Sequence, residues 1–129
     1  MVGAAEERAA ARRLEQSGYG ALWFGEAPMN REALSHAALL LGATERVTVA
    51  TGIAHIWARD ATAAANGADS LNEAYDGRFL LGLGVSHAPP VERSGQVYEH
   101  PLAMMRSYLD VLDAGDPPVL APFELLAGE

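Results

Sequence analysis

Three short apolar runs, each reached through a helix-like segment, limit what this chain can fold into. They are Ala21–Gly25, Val47–Ile53 and Phe79–Leu83. Little in them is polar, so each reads as a strand covered on both faces, as in a parallel sheet. The first helix is expected over residues 4–17, with Ala5, Ala9 and Leu14 inward and Gly18 as a left-handed cap. Asn30 is a fair N-cap for the second, where Leu34, Ala37, Ala38 and Leu41 follow the i, i+3, i+4, i+7 rule. Asp60 caps the third, which turns Ala64, Gly67, Ala68, Leu71 and Tyr75 inward and stops at Gly77. Pro101 suits the first turn of a fourth, striped by Leu102, Met105, Leu109 and Leu112 and ended by Gly115, Pro117 and Pro118. The order is α-β-α-β-α-β-α. At about 30 residues per strand–helix unit, such alternation builds a parallel sheet with right-handed crossovers.

The third run leads into Gly84-Val85-Ser86-His87 and two prolines. A polar, glycine-rich cluster where a buried strand ends is where α/β proteins hold ligands. Gly82 and Gly84 lack Cβ atoms and allow close approach to the backbone. Residues 88–98, rich in proline, glycine and polar side chains, read as a loop.

The chain's 129 residues amount to one domain. The net charge of -8 opposes nucleic-acid binding, which needs a basic surface. With no cysteine there is neither a disulfide framework nor a thiolate metal site. No apolar run approaches the ~20 residues that span a bilayer, so no membrane partner is expected. Glu6 and Glu7 stand where a secretory leader would be basic and apolar, so the expected location is cytoplasmic.

Several residues are chemically suggestive. Gly82-x-Gly84-x-x-His87 approaches a dinucleotide fingerprint but lacks its third glycine and the acidic residue after a following strand, so a Rossmann fold is the lesser reading. His87 is a candidate cofactor or substrate contact and a weaker candidate proton donor. Against this stands a loop-entry histidine bonded to backbone. His55, at another strand end, has the same two readings. A metal shared by the pair lacks acidic ligands at matching spacing, and none is expected. Glu26 is a weak candidate base if burial raises its pKa; otherwise it partners the N-terminus of the coming helix or is solvated. Trp23 and Trp57 are expected in the core rather than against an aromatic ligand. Met104 and Met105 read as packing, and Glu6, Glu7, Arg8, Arg12 and Arg13 as a solvated helix face. No nucleophile elbow or P-loop is present.

Three linked segments, ALWFGE at 21–26, RVTVATGIAHIWARD at 46–60 and YDGRFLLGLGVSHAP at 75–89, resemble the luciferase-like monooxygenase superfamily, most closely its deazaflavin (coenzyme F-420)-dependent branch. The resemblance covers roughly residues 4–115. It implies the N-terminal part of a (β/α)₈ TIM barrel, a fold of ~250 residues. About three strands and four helices are expected in an α/β unit over residues 1–118, with a tail at 119–129. The implied activity is a flavin- or deazaflavin-dependent oxidoreductase or monooxygenase acting on a small organic substrate, with FMN or F-420 as cofactor. By resemblance, Thr51, Gly52 and Ile53 form the bulged strand behind the cofactor ring, with Gly52–Ile53 the candidate for a cis peptide bond. Gly84, Val85, Ser86 and His87 border the same ring, and Glu26 matches a polar strand end. His55 stands where Asn is commoner in the family, and Ala61 where Pro often opens the helix. The family's main phosphate grip lies beyond this part of the fold. The alternative is therefore a truncated or split-enzyme fragment without independent catalysis. A partial barrel leaves strand edges unpaired, so self-association or a partner half-barrel is expected.

Overall fold

The three apolar runs become strands that lie side by side and point the same way. The structure is a computed structural model and describes residues 2–115. In chain order the elements are α1 (Ala4–Gln16), β1 (Ala21–Phe24), α2 (Ala33–Leu41), β2 (Thr48–Thr51), β3 (Ala54–His55), α3 (Ala61–Ala74), β4 (Phe79–Leu80), β5 (Leu83–Gly84), α4 (Ala88–Arg93) and α5 (Pro101–Asp113). Strands β1, β2 and β4 form one parallel sheet in that order, and β3 pairs with β5, also in parallel. The result is an α/β architecture with a partial parallel sheet and flanking helices.

The second run carries β2 and ends at Gly52–Ile53, whose peptide bond is cis, and β3 follows directly. Strands β4 and β5 are one run, broken at Leu81–Gly82. The two breaks interlock. Thr51 Oγ1 donates to the Gly82 carbonyl and accepts from the Gly82 N–H, each at 2.8 Å. A side chain at Gly82 would collide with the Thr51 carbonyl. Beyond the breaks the ladder resumes, with Ala54 N–H donating to Gly82 O at 2.8 Å and Ile56 N–H to Gly84 O at 3.1 Å.

Helices α2 and α3 cover the sheet through small residues. Ala33, Ala37, Leu40 and Leu41 are buried on α2, and Ala61, Ala64, Ala68 and Leu71 on α3. Val47, Val49, Phe79 and Leu81 meet them from the sheet side. The pole where the strands begin is stitched by two side chains. The Arg78 guanidinium donates to the carbonyls of Leu41, Thr44 and Val47, and the Glu15 carboxylate accepts the N–H groups of Glu45, Arg46 and Val47.

Five expectations need correction. Residues 88–98 are not all loop, because Ala88–Arg93 is helical. Prolines in a first turn give up only N–H groups that have no helical partner there. Glu32, not Asn30, caps α2, accepting from Leu34 N–H at 3.0 Å and Ser35 N–H at 2.8 Å. Trp23 is not core but 60% exposed: among the described residues β1 pairs with β2 alone, and of its side chains Leu22 and Phe24, on the other face, are the ones packed against the core. The buried stripe of α5 centres on Tyr108 and Leu112, with Met105 and Leu109 beside it, while Leu102 is 79% exposed. On α1, too, Ala11 is buried whereas Ala5 and Leu14 are exposed. Pro117, Pro118 and the tail at 119–129 lie outside the described residues.

Candidate cofactor rim

Parallel pairing brings the C-terminal tips of the strands to a single rim. Glu26 follows β1 by two residues, and its side chain is only 5% exposed. One carboxylate oxygen accepts the Ala33 N–H at the start of α2, at 3.0 Å, and also the Arg59 guanidinium. The other accepts the His55 N–H at the end of β3, at 3.1 Å. One side chain thus ties β1, β3, α2 and the approach to α3. Both oxygens already serve donors, so the arrangement makes Glu26 a pin that includes the helix N-terminus contact, rather than a free proton acceptor.

Arg59 is nearly as buried, at 9% side-chain exposure, and also pairs with Glu32 at 2.8 Å. Burial opposes its charge, but the bond to Glu26 and the attraction of both carboxylates outweigh that and hold its pKa above the usual arginine value. Burial keeps the His55 imidazole below the usual histidine range, against the pull of Glu26, 4.0 Å from Nε2. Tyr108 from α5 donates to the Arg59 and Asp60 carbonyls, and burial pushes its own pKa up to about 12.

The proposed ring-side residues occupy the neighbouring tips. Gly52 is exposed, and its N–H donates to Phe24 O at 2.7 Å. Ile53 is half-buried beneath Gly84, where a side chain would press on its Cδ1 at 2.6 Å. Thr51 is fully buried and its hydroxyl is committed to Gly82, so that side chain supports the strand from within. Val85 and Ser86 are half-buried, and Ser86 has a left-handed backbone, φ 56°. His87 is exposed and precedes α4 without a side-chain capping bond. His55 and His87 therefore differ: the first is enclosed under Glu26, the second open. A cavity of about 260 Å³ opens beside the tips, walled by Glu26, Asn30, Glu32, His55, Trp57 and Gln96.

Sequence reasoning missed Arg59, Glu32 and Tyr98. Glu26 and Arg59 stand far apart in the chain, and only the parallel register brings them together. The aromatic pair was half visible. Trp57 proves partly buried, with its Nε1 donating to Val85 O at 2.8 Å and its ring 5.4 Å from that of Tyr98.

A model of the family described as luciferase-like monooxygenase matches residues 2–115. The chain belongs to this family. Among relatives of the luciferase-like chain, a 5,10-methylenetetrahydromethanopterin reductase of Methanolobus tindarius is 32% identical over 92 residues, 71% of this chain and 28% of the reductase. A Mycobacterium tuberculosis protein named as a coenzyme F-420-dependent oxidoreductase is 37% identical over 99 residues, 76% of this chain and 28% of its own length. Among solved structures, the oxygenating constituent of 3,6-diketocamphane monooxygenase from Pseudomonas putida, in complex with FMN, superposes with a TM-score of 0.71. At 16% identity that likeness is one of fold, and it covers 82% of this chain and 32% of the other. The luciferase-like chain thus spans less than a third of the length of these relatives.

Proposed function

We propose that this chain supplies one wall of the cofactor site of a luciferase-like oxidoreductase that uses FMN or F-420 on a small organic substrate. The observation that carries the proposal is the single rim: exposed Gly52, half-buried Ile53 and the Val85–His87 tip lie at the C-terminal ends of parallel strands. The surface there suits a flat ring, with glycine backbone at Gly52 and Gly84 and an apolar side chain at Ile53. The bound ring would supply the redox chemistry, passing a hydride or reacting with oxygen. The chain's part is to hold and orient it: Thr51 stiffens the strand behind, Gly52, Ile53, Gly84 and Val85 line its side, and Ser86 and His87 offer polar contacts. Arg59 and Arg31 do not grip its phosphate, because each is already paired, Arg59 with Glu26 and Glu32 and Arg31 with Glu7 at 2.9 Å.

The engagement of these two arginines, together with an edge of β1 that is unpaired among the described residues, favours a second reading, a fragment whose catalysis needs further strands from a second copy or a partner chain. The unit is taken as residues 1–118 with a tail at 119–129, and its proposed location is the cytoplasm; among the described residues no helix is long and apolar enough to cross a membrane. Fluorescence titration of FMN and of F-420 with the purified chain tests the cofactor proposal. Saturable quenching of either at tens of micromolar supports it. An unchanged signal for both shows that the chain alone is not a cofactor-binding unit.

A further inference from the structure

Two aromatic residues that no strand carries hold the Val85–His87 tip from one side. Trp57 Nε1 donates to the Val85 carbonyl at 2.8 Å, and the Tyr98 hydroxyl donates to the Ser86 carbonyl at 3.2 Å. The two rings pack at 5.4 Å, so each steadies the other. A peptide unit is planar and trans, with its N–H opposite its C=O. Fixing the Val85 carbonyl therefore fixes the Ser86 N–H, and fixing the Ser86 carbonyl fixes the His87 N–H. Both N–H groups then turn away from the aromatic pair. Among the described residues, neither donates to a protein acceptor. The left-handed φ of Ser86, 56°, is uncommon outside glycine and is the conformation these bonds retain.

We propose that Trp57 and Tyr98 are positioning residues that present the Ser86 and His87 N–H groups as a paired donor site for a carbonyl or carboxylate oxygen. Resting on the cofactor reading, that acceptor is the carbonyl edge of the flavin or deazaflavin ring. Successive backbone N–H groups form concave sites that attract such oxygens. Exposed His87 flanks the pair.

The test uses the ¹⁵N-labelled full chain, with FMN and acetate as probes and the variants Trp57→Phe and Tyr98→Phe, each of which retains an aromatic ring and removes one donor. In the unsubstituted protein both amides should be rigid, with order parameters near 0.85, and both probes should shift them. Each variant should bring the amide behind its lost bond below about 0.6, leave Val49 and Ala50 unchanged, and weaken FMN binding about fivefold to tenfold. A general loss of stability would instead loosen β2 as well. If FMN binds but neither amide moves, or the variants leave both rigid, the donor site is wrong and the cofactor reading stands. If acetate shifts the two amides and FMN binds nowhere, the donor site stands and the cofactor reading falls. Silence of both amides toward both probes overturns the proposal.

Discussion

At the residue scale, the rim depends on Glu26. Its carboxylate serves a helix N-terminus, a strand end and a buried guanidinium. Glu26→Ala leaves Arg59 with only the half-exposed Glu32, and the expected loss is about 3 kcal/mol, read from urea unfolding. A loss below about 1 kcal/mol would show that the pin is dispensable. Glu15 acts at the opposite pole in another way. Three backbone N–H groups, with the Val47 bond the strongest influence, hold its pKa at about 2 against an ordinary 4.5. Its contribution is therefore complete above the ordinary value and disappears as pH falls toward 2. Unfolding midpoints of the unsubstituted protein and Glu15→Gln should differ at pH 6 and converge near pH 2; a constant gap would contradict this. The role of Glu15 was not legible in the sequence; that of Glu26 was legible only in its contact with the N-terminus of α2. The reading of residues 4–17 as a helix assigned Glu15 no role, and Glu26 stood as a carboxylate after a strand with three roles open. What decides them is the partner some thirty residues away, which neither pattern nor composition reveals.

At the element scale, the sequence carried more. Continuous apolar runs marked β1, β2 and β4, while the separate pairing of β3 with β5 went unmarked, and Asp60 caps α3 as expected, accepting the Ala63 N–H at 2.8 Å. The glycines hinted at irregular strands, but the interlocking of the two breaks through Thr51 and Gly82 is a tertiary event. Helix α4 was hidden because a Pro-Pro pair looks like a breaker unless it falls in a first turn. Edge position hid the fate of Trp23, since an apolar residue reads as core wherever it stands. The interlocked breaks yield a graded prediction. A methyl at Gly82 meets the backbone of Thr51, which has nowhere to go, whereas one at Gly84 meets the Ile53 side chain at Cδ1, Cγ1 and Cβ and leaves the backbone free. Gly82→Ala should cost more than about 3 kcal/mol, and Gly84→Ala about 1 kcal/mol, by chemical denaturation. Equal costs would mean that the two breaks are not locked as described.

At the scale of the whole molecule, the sheet is open among the described residues. The carbonyls of Gly20 and Phe24 accept from Thr48 and Gly52, so in a parallel ladder Ala21 and Trp23 turn their backbone groups to the free side. Beside that edge lies a groove of about 420 Å³ lined by Leu14, Tyr19, Leu22, Trp23 and Phe24. An apolar, unpaired edge favours pairing with another strand. Size-exclusion chromatography with light scattering should find more than one copy per particle, and Trp23→Lys should shift the population to monomer. A compact monomer at all concentrations would count against edge pairing. Ligand binding at the strand tips is the deeper claim, and amide-shift mapping of the ¹⁵N-labelled chain with FMN or F-420 addresses it directly. The shifts should gather at Gly52–His55 and Gly84–His87, on the rim pinned by Glu26. Shifts gathered around Gly20, Val47 and Arg78 at the opposite pole would contradict a cofactor site on this face of the fold.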